Sequence, residues 1–208
     1  MARAPLSKRR ILGIDRSGPP PPALAAGQPL NPWTIPNAIG FVRLGLIPVF
    51  LVLAVRSGDG RTASASIVFA VVAGSDYLDG IAARLTGQYS RLGMILDPLT
   101  DRVLIMAGVV VCWKFHLQPR WALGVLAGRE VTMLVLSQVA LRRGLQIEVN
   151  VVGRYAVWPT MLSLWLAMVS VTWVAHVLLY LGVAMALVAT VIYIRDGVAR
   201  LRLPSSSA

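Results

Sequence analysis

The chain has 208 residues, room for one domain of ordinary size, and 56% of them are hydrophobic at a mean hydropathy of +0.69. That is too apolar for a soluble core. A net charge of +11 raises nucleic acid as a partner, but the basic residues are scattered at the edges of apolar segments with no aromatic-interleaved motif, which excludes that class and leaves anionic membrane lipids as the simpler partner.

In chain order, residues 1–31 come first, with Lys8, Arg9 and Arg10, then Pro19 to Pro22, then Ala- and Gly-rich sequence. They cannot bury enough apolar surface to order themselves. No apolar run precedes a cleavage site, so the segment reads as a flexible basic Pro-rich cytoplasmic arm rather than a signal peptide, with a short interfacial helix near Asn31 to Thr34. Six apolar stretches follow, at 36–56, 62–84, 94–115, 121–141, 151–172 and 175–195. Each is close to the roughly 20 residues that a helix needs to cross a bilayer. The expected fold is an all-α integral membrane protein of six transmembrane helices over 32–203, closed by a polar tail, 204–208. The fifth and sixth stretches are barely separated, and a five-span reading would put the termini on opposite sides.

Charge opposes five spans. Of the twenty Lys and Arg residues, only Arg56, Arg61, Lys114 and Arg120 fall in loops that face outward in a six-span chain. By the positive-inside rule both termini and the loops at 84–93 and 142–150 are then cytoplasmic, which predicts a multi-pass protein of the cell membrane. Cys112 is the single cysteine and lies in an apolar run, as a small buried hydrophobe. His116 and His176 map to the outward side, and no second ligand is spaced to make a metal site with either. No internal repeat is present.

The second and third stretches carry the chemistry. Asp76, Asp79, Asp97 and Asp101 sit within 26 residues of a chain with only nine acidic residues. Spacings of three and four put each pair on one helix face. If the two helix segments meet at their ends, four carboxylates converge, and mutual repulsion would keep them from ionising together. One or two divalent cations remove that objection. Oxygen ligands without His or Cys indicate a hard ion, Mg²⁺ or Mn²⁺. Transporters also carry intramembrane carboxylates, so on this reading alone an enzyme and a cation-coupled transporter stand level.

The full string from Asp76 to Asp101 reads D-x2-D-G-x2-A-R-x8-G-x3-D-x3-D and resembles the CDP-alcohol phosphatidyltransferase family. Asp76, Asp79, Gly80, Ala83, Arg84, Gly93, Asp97 and Asp101 stand at the family's fixed positions, including the eight-residue gap. The resemblance implies a phospholipid-synthesising enzyme, acting on CDP-diacylglycerol and a small or lipid alcohol, and a homodimer. It implies that Asp76, Asp79, Asp97 and Asp101 hold two Mg²⁺ or Mn²⁺ ions, that Asp101 is also the general base, and that Gly80, Ala83, Arg84 and Gly93 line the cytidine and diphosphate pocket. Arg84 reads equally as a snorkelling residue at a helix end. Asn37 either caps the first helix or reaches the nucleotide.

Thr34 to Arg43, followed by Pro48, and Leu96 to Arg102 resemble the phosphatidylglycerolphosphate synthase and cardiolipin synthase branch. The expected reaction is transfer to glycerol 3-phosphate with release of CMP; phosphatidylglycerol and inositol phosphate are the alternative acceptors. An acceptor phosphate needs cations, and Arg129, Arg154 and Arg43 are the candidates. Arg129 with Glu130 also reads as a structural pair. Gly153-Arg154-Tyr155-Ala156 departs from the Gly-Lys and Lys-Thr expected of phosphatidylglycerolphosphate synthases, although Arg is a good bidentate phosphate ligand.

Overall fold

Thr34 starts the first helix. Its hydroxyl accepts the Asn37 N–H at 3.4 Å and its carbonyl accepts the Ala38 N–H at 3.0 Å, which is the work of an N-cap. The capping role open to Asn37 therefore falls to Thr34, and the Asn37 side chain is buried in the next turn.

The computed structural model describes residues 34–86, 91–142 and 151–202. Its elements among these residues are six helices and no strands: α1 Ile35–Arg56, α2 Ala63–Thr86, α3 Arg91–Lys114, α4 Arg120–Arg142, α5 Val151–Val169 and α6 Trp173–Arg202. The expected arm 1–31, the start of the interfacial helix at Asn31, the 142–150 loop beyond Arg142 and the tail 204–208 lie outside the described residues. Two helices are long and apolar enough to cross a membrane by length and composition, over Asn37–Arg56 and Trp173–Gly197; Ala63–Ser75 and Tyr155–Val169 are shorter apolar stretches. In three of the other expected spans charge interrupts the apolar sequence, though not the helix: Asp76, Asp79 and Arg84 in α2, Asp97, Asp101 and Arg102 in α3, and Arg129 with Glu130 in α4.

Helices outrun the apolar stretches that announce them. α2 continues to Thr86, α3 begins at Arg91 and α6 reaches Arg202, because backbone hydrogen bonding propagates through polar residues as readily as apolar ones. Arg84 and Gly93, at the two ends of the expected 84–93 loop, consequently stand in helices. Ser170 to Thr172 separate α5 from α6, so the fifth and sixth stretches are distinct helices.

The polarity of the helices is inverted relative to a water-soluble bundle. On α1 the buried stripe is Asn37, Gly40, Arg43, Ile47, Phe50 and Ala54, whereas Phe41, Val42, Val49 and Val52 face outward. Val42 is 62% exposed and Arg43 1%. Ile67, Val110, Val135 and Val188 are likewise exposed, while Thr100, Gln118, Glu130, Ser163 and Thr190 are buried. An apolar surface over a polar interior is stable in lipid, where outward Val and Leu lose nothing and inward polar groups find partners. The chain is a membrane protein.

The residues divide into two compact units, Met1–Phe50 with Ile67–Leu104 and Leu51–Ser66 with Ile105–Ala208. In the first, α1, α2 and α3 pack through Phe50 and Phe69, whose rings meet edge to face at 5.3 Å, and through Gly40, where an added Cβ would stand 2.6 Å from Leu96 Cδ2.

In the second unit the two chain reversals are built from specific devices. Between α1 and α2, the Ser57 hydroxyl donates to the Ala54 carbonyl and accepts the Gly60 N–H, both at 2.7 Å. Gly60 has φ +75°, and a Cβ there would lie 2.5 Å from the Phe115 ring, so only glycine fits. Thr62 caps α2 through the Ala65 N–H at 3.2 Å. After α3, the Leu117 N–H reaches back to the Cys112 carbonyl at 3.0 Å with His116 at φ +56°, the left-handed turn that closes a helix C-terminus. His116 thus serves the backbone. The Arg61 Nε–H donates to the Ala167 carbonyl at 3.2 Å, a cation on the last turn of α5, where the helix dipole favours it.

α5 and α6 meet through a small-residue seam: Ala156, Thr160, Ser163 and Ala167 on one helix, Ala175, Gly182, Ala186 and Ala189 on the other. Such seams let backbones approach closely, which is how helices gain contact energy in lipid. A Cβ on Gly182 would lie 2.4 Å from Thr160 Oγ1, 3.0 Å from its backbone nitrogen and 3.2 Å from its Cα. Gly182→Val therefore forces the helices apart and costs about 1–3 kcal/mol. Thermal unfolding in detergent checks this, and an unchanged midpoint would refute the seam. Ser163 adds polar glue, donating to the Ala175 carbonyl at 2.7 Å and accepting from Gln118 Nε2 at 3.2 Å.

Candidate active site

The first unit holds the motif. On α2, Asp76 stands one turn beyond Val72 and Asp79 three residues further; Gly80, Ala83 and Arg84 follow on the same helix. On α3, Gly93 is in the first turn, Asp97 one turn later and Asp101 one turn after that. The backbone thus keeps each aspartate pair in the helical register that its spacing predicts. For Asp76, Asp79, Gly80, Ala83, Arg84 and Asp97 this helical placement is what the structure describes. Among the described residues no three His, Cys, Asp or Glu side chains cluster as metal ligands, and of the four motif aspartates only Asp101 has a described side chain.

One side chain joins the two motif helices. Arg43, on α1, donates from Nε to the Val72 carbonyl of α2 at 3.2 Å and from Nη2 to Asp101 Oδ1 of α3 at 3.0 Å. Its side chain is 1% exposed and that of Asp101 27%. A buried guanidinium is tolerable only when paired and hydrogen-bonded, and here one fork links the turn before Asp76 to Asp101. The two pairs of aspartates are therefore carried on helix segments that approach each other. Asp101 keeps a quarter of its surface open while bonded to Arg43, so it is reachable from outside the helix packing.

The donor chemistry suits a hard divalent cation: carboxylate oxygens on adjacent helices, with no imidazole or thiol between Asp76 and Asp101. Arg43 contributes one compensating charge beside Asp101. Gly40 lies three residues before Arg43 and its close approach to Leu96 brings α1 against the turn that precedes Asp97.

The remaining cationic candidates lie elsewhere. In the second unit, the Arg129 guanidinium bonds Glu130 Oε1 through Nη1, and its Nε–H donates to Thr190 Oγ1 at 3.2 Å and to the Ala186 carbonyl at 3.4 Å. The pair is that of the structural reading, tied across to α6. Arg154 is in the first turn of α5. Sequence reasoning missed the Arg43–Asp101 bond. Its signal was a lone cation on an apolar helix, which demands a buried counter-charge.

Comparison with known proteins agrees with the motif. Residues 33–192 match the model of the family described as CDP-alcohol phosphatidyltransferase. A cardiolipin synthase (CMP-forming) of Streptomyces coelicolor is 36% identical over 79% of this chain and 80% of its own length. A CDP-diacylglycerol–glycerol-3-phosphate 3-phosphatidyltransferase of Bacillus subtilis is 27% identical over 63% of this chain and 74% of its own. A probable phosphatidylglycerophosphate synthase of Mycobacterium tuberculosis is 30% identical over 79% of both. With its eight motif positions on two helices joined through Arg43, and a family match running nearly the length of the described residues, the chain belongs to the CDP-alcohol phosphatidyltransferases and is an enzyme of phospholipid biosynthesis.

Proposed function

We propose that the protein transfers a phosphatidyl group from CDP-diacylglycerol to a hydroxyl of a glycerol phosphate unit, releasing CMP. The observation that carries this reading is the Arg43 bridge between Val72 and Asp101, which draws the two aspartate-bearing helices together. Asp76, Asp79, Asp97 and Asp101 would hold Mg²⁺ or Mn²⁺, two ions in this reading. Bound metal supplies charge neutralisation on the diphosphate as CMP leaves.

The chain's own residues do the rest. Gly80, Ala83, Arg84 and Gly93 form the nucleotide and diphosphate pocket, where the missing side chains of the glycines leave helix backbone open to a base or phosphate. Asn37, buried on α1, completes it. Asp101 accepts the proton of the acceptor hydroxyl as its oxygen bonds to the phosphorus of the phosphatidyl group and the bond to the CMP oxygen breaks.

Glycerol 3-phosphate is the first acceptor, in line with the branch resemblance and with the names of the Bacillus and Mycobacterium relatives; Arg154 is the cation for its phosphate. Phosphatidylglycerol is the second, favoured by a specific observation. Arg43 and Arg129 are both engaged within the protein, which leaves fewer cations for an acceptor phosphate; a monoester, with nearly two negative charges, needs more of them than the singly charged diester of phosphatidylglycerol, and the Streptomyces relative is a cardiolipin synthase.

All six helices take part in the membrane. At 1.5 Å per residue they run about 28–45 Å, against about 30 Å of hydrocarbon. Six crossings put both termini on the cytoplasmic face, with the motif opening there.

The test is CMP release by the purified protein in detergent with CDP-diacylglycerol and Mg²⁺, glycerol 3-phosphate, phosphatidylglycerol and inositol phosphate being offered separately and the lipid product identified. Phosphatidylglycerol phosphate as product supports the first reading and cardiolipin the second. Metal-independent turnover, or no CMP with any acceptor, refutes the proposal.

A further inference from the structure

Arg43 is the most deeply buried cation among the described residues. Two of its hydrogen bonds run to different helices: one to the backbone of α2 at Val72, one turn ahead of Asp76, and one to the side chain of Asp101 on α3. We infer that Arg43 is a positioning residue that acts through Asp101, fixing the orientation of that carboxylate and the spacing between the two motif helices, and that it does not bind the acceptor. This rests on the metal site proposed above.

The geometry argues it in three steps. First, a side chain 1% exposed presents no guanidinium surface to a substrate that arrives from solvent or lipid. Second, a planar guanidinium fixes the direction of its N–H groups relative to one another. With Nε held by Val72, Nη2 has little freedom, and the Asp101 oxygen that it bonds is held with it. Third, the α2 anchor is a backbone carbonyl, which cannot rotate away as a side chain can. Asp101 is thereby placed relative to the α2 turn that leads directly into Asp76. Groups that orient a metal ligand from behind typically matter about 10- to 100-fold for metal affinity or activity.

Lysine cannot replace this. Its single ammonium on a flexible stem carries the charge but lacks the rigid fork that spans a carbonyl and a carboxylate at once.

The experiment measures Mn²⁺ binding to the purified full-length protein in detergent by electron paramagnetic resonance, for wild type, Arg43→Met, Arg43→Lys, Asp101→Asn and the double variant Arg43→Met/Asp101→Asn, each with its thermal unfolding midpoint. Arg43→Met is expected to weaken Mn²⁺ binding about 10-fold or more. In the Asp101→Asn background the same change is expected to alter binding less than about 2-fold, because the residue it acts through is already disabled. Arg43→Lys is expected to remain folded yet bind Mn²⁺ several-fold more weakly than wild type, and it carries the test if Arg43→Met does not fold. In steady-state turnover, Arg43→Lys lowers kcat while the KM for either acceptor stays within about 3-fold.

Wild-type Mn²⁺ affinity in Arg43→Met or Arg43→Lys overturns the inference, as does a full additive effect in the double variant or a selective rise in acceptor KM. A wild-type protein that itself binds no Mn²⁺ overturns the metal site instead, so the two failures are distinguishable.

Discussion

Asp97→Asn is expected to lose turnover by about a thousandfold or more while the protein remains folded. The substitution is nearly isosteric; what disappears is one negative charge and, if Asp97 holds metal as proposed above, one metal-binding oxygen. Charge stabilisation by a bound metal amounts to several kcal/mol in the transition state, and each 1.36 kcal/mol is a factor of ten. Asp97 stands one helical turn from Asp101, and no other carboxylate in the chain is spaced to replace it. CMP release by the purified variant, read beside its thermal unfolding, decides the matter. Turnover within tenfold of wild type would remove Asp97 from the metal site.

The second large effect is on stability. Arg129→Met is expected to destabilise the protein by about 3–5 kcal/mol, because it strips a cation from a carboxylate that is 4% exposed. It also breaks the tie from α4 to Thr190 and Ala186 on α6. The double variant Arg129→Met/Glu130→Gln recovers much of that loss, since neutralising a buried pair together is far cheaper than removing half of it. Denaturant or thermal unfolding in detergent measures both. If the double variant is as unstable as the single one, the loss belongs to the α4–α6 tie and not to the Arg129–Glu130 ion pair.

Much of this architecture was legible from residue order. The six helices coincide with six apolar stretches to within a few residues, except where polar sequence extends a helix, as at Thr86, Arg91 and Arg202. Those ends were hidden because hydropathy reports solvent preference and not hydrogen bonding. The aspartate motif was legible because spacings of three and four translate directly into helix faces. The partner of Arg43 was not: residues 43 and 101 are 58 positions apart, and an arginine reads the same in sequence whether it grips a carboxylate or awaits a phosphate. Thr34, two residues before the first apolar stretch begins, was overlooked as the cap in favour of Asn37. Glu130, by contrast, betrayed its pairing with Arg129 because charges that are costly in lipid rarely stand alone.

The α5–α6 seam bears on how the chain assembles. The connection Ser170 to Thr172 is three residues long, and at about 3.3–3.6 Å per residue it reaches only about 10 Å. The two helices are therefore tethered from the moment both exist, and the entropy lost in bringing them together is close to the minimum for any helix pair. With Gly182 seated against the Thr160 backbone, the seam needs no other helix to find its register. Residues 151–202 thus form a self-registering hairpin, whereas the Arg43–Asp101 pair must wait for three separate helices to meet. In this protein the scaffold assembles from local contacts and the chemistry from distant ones.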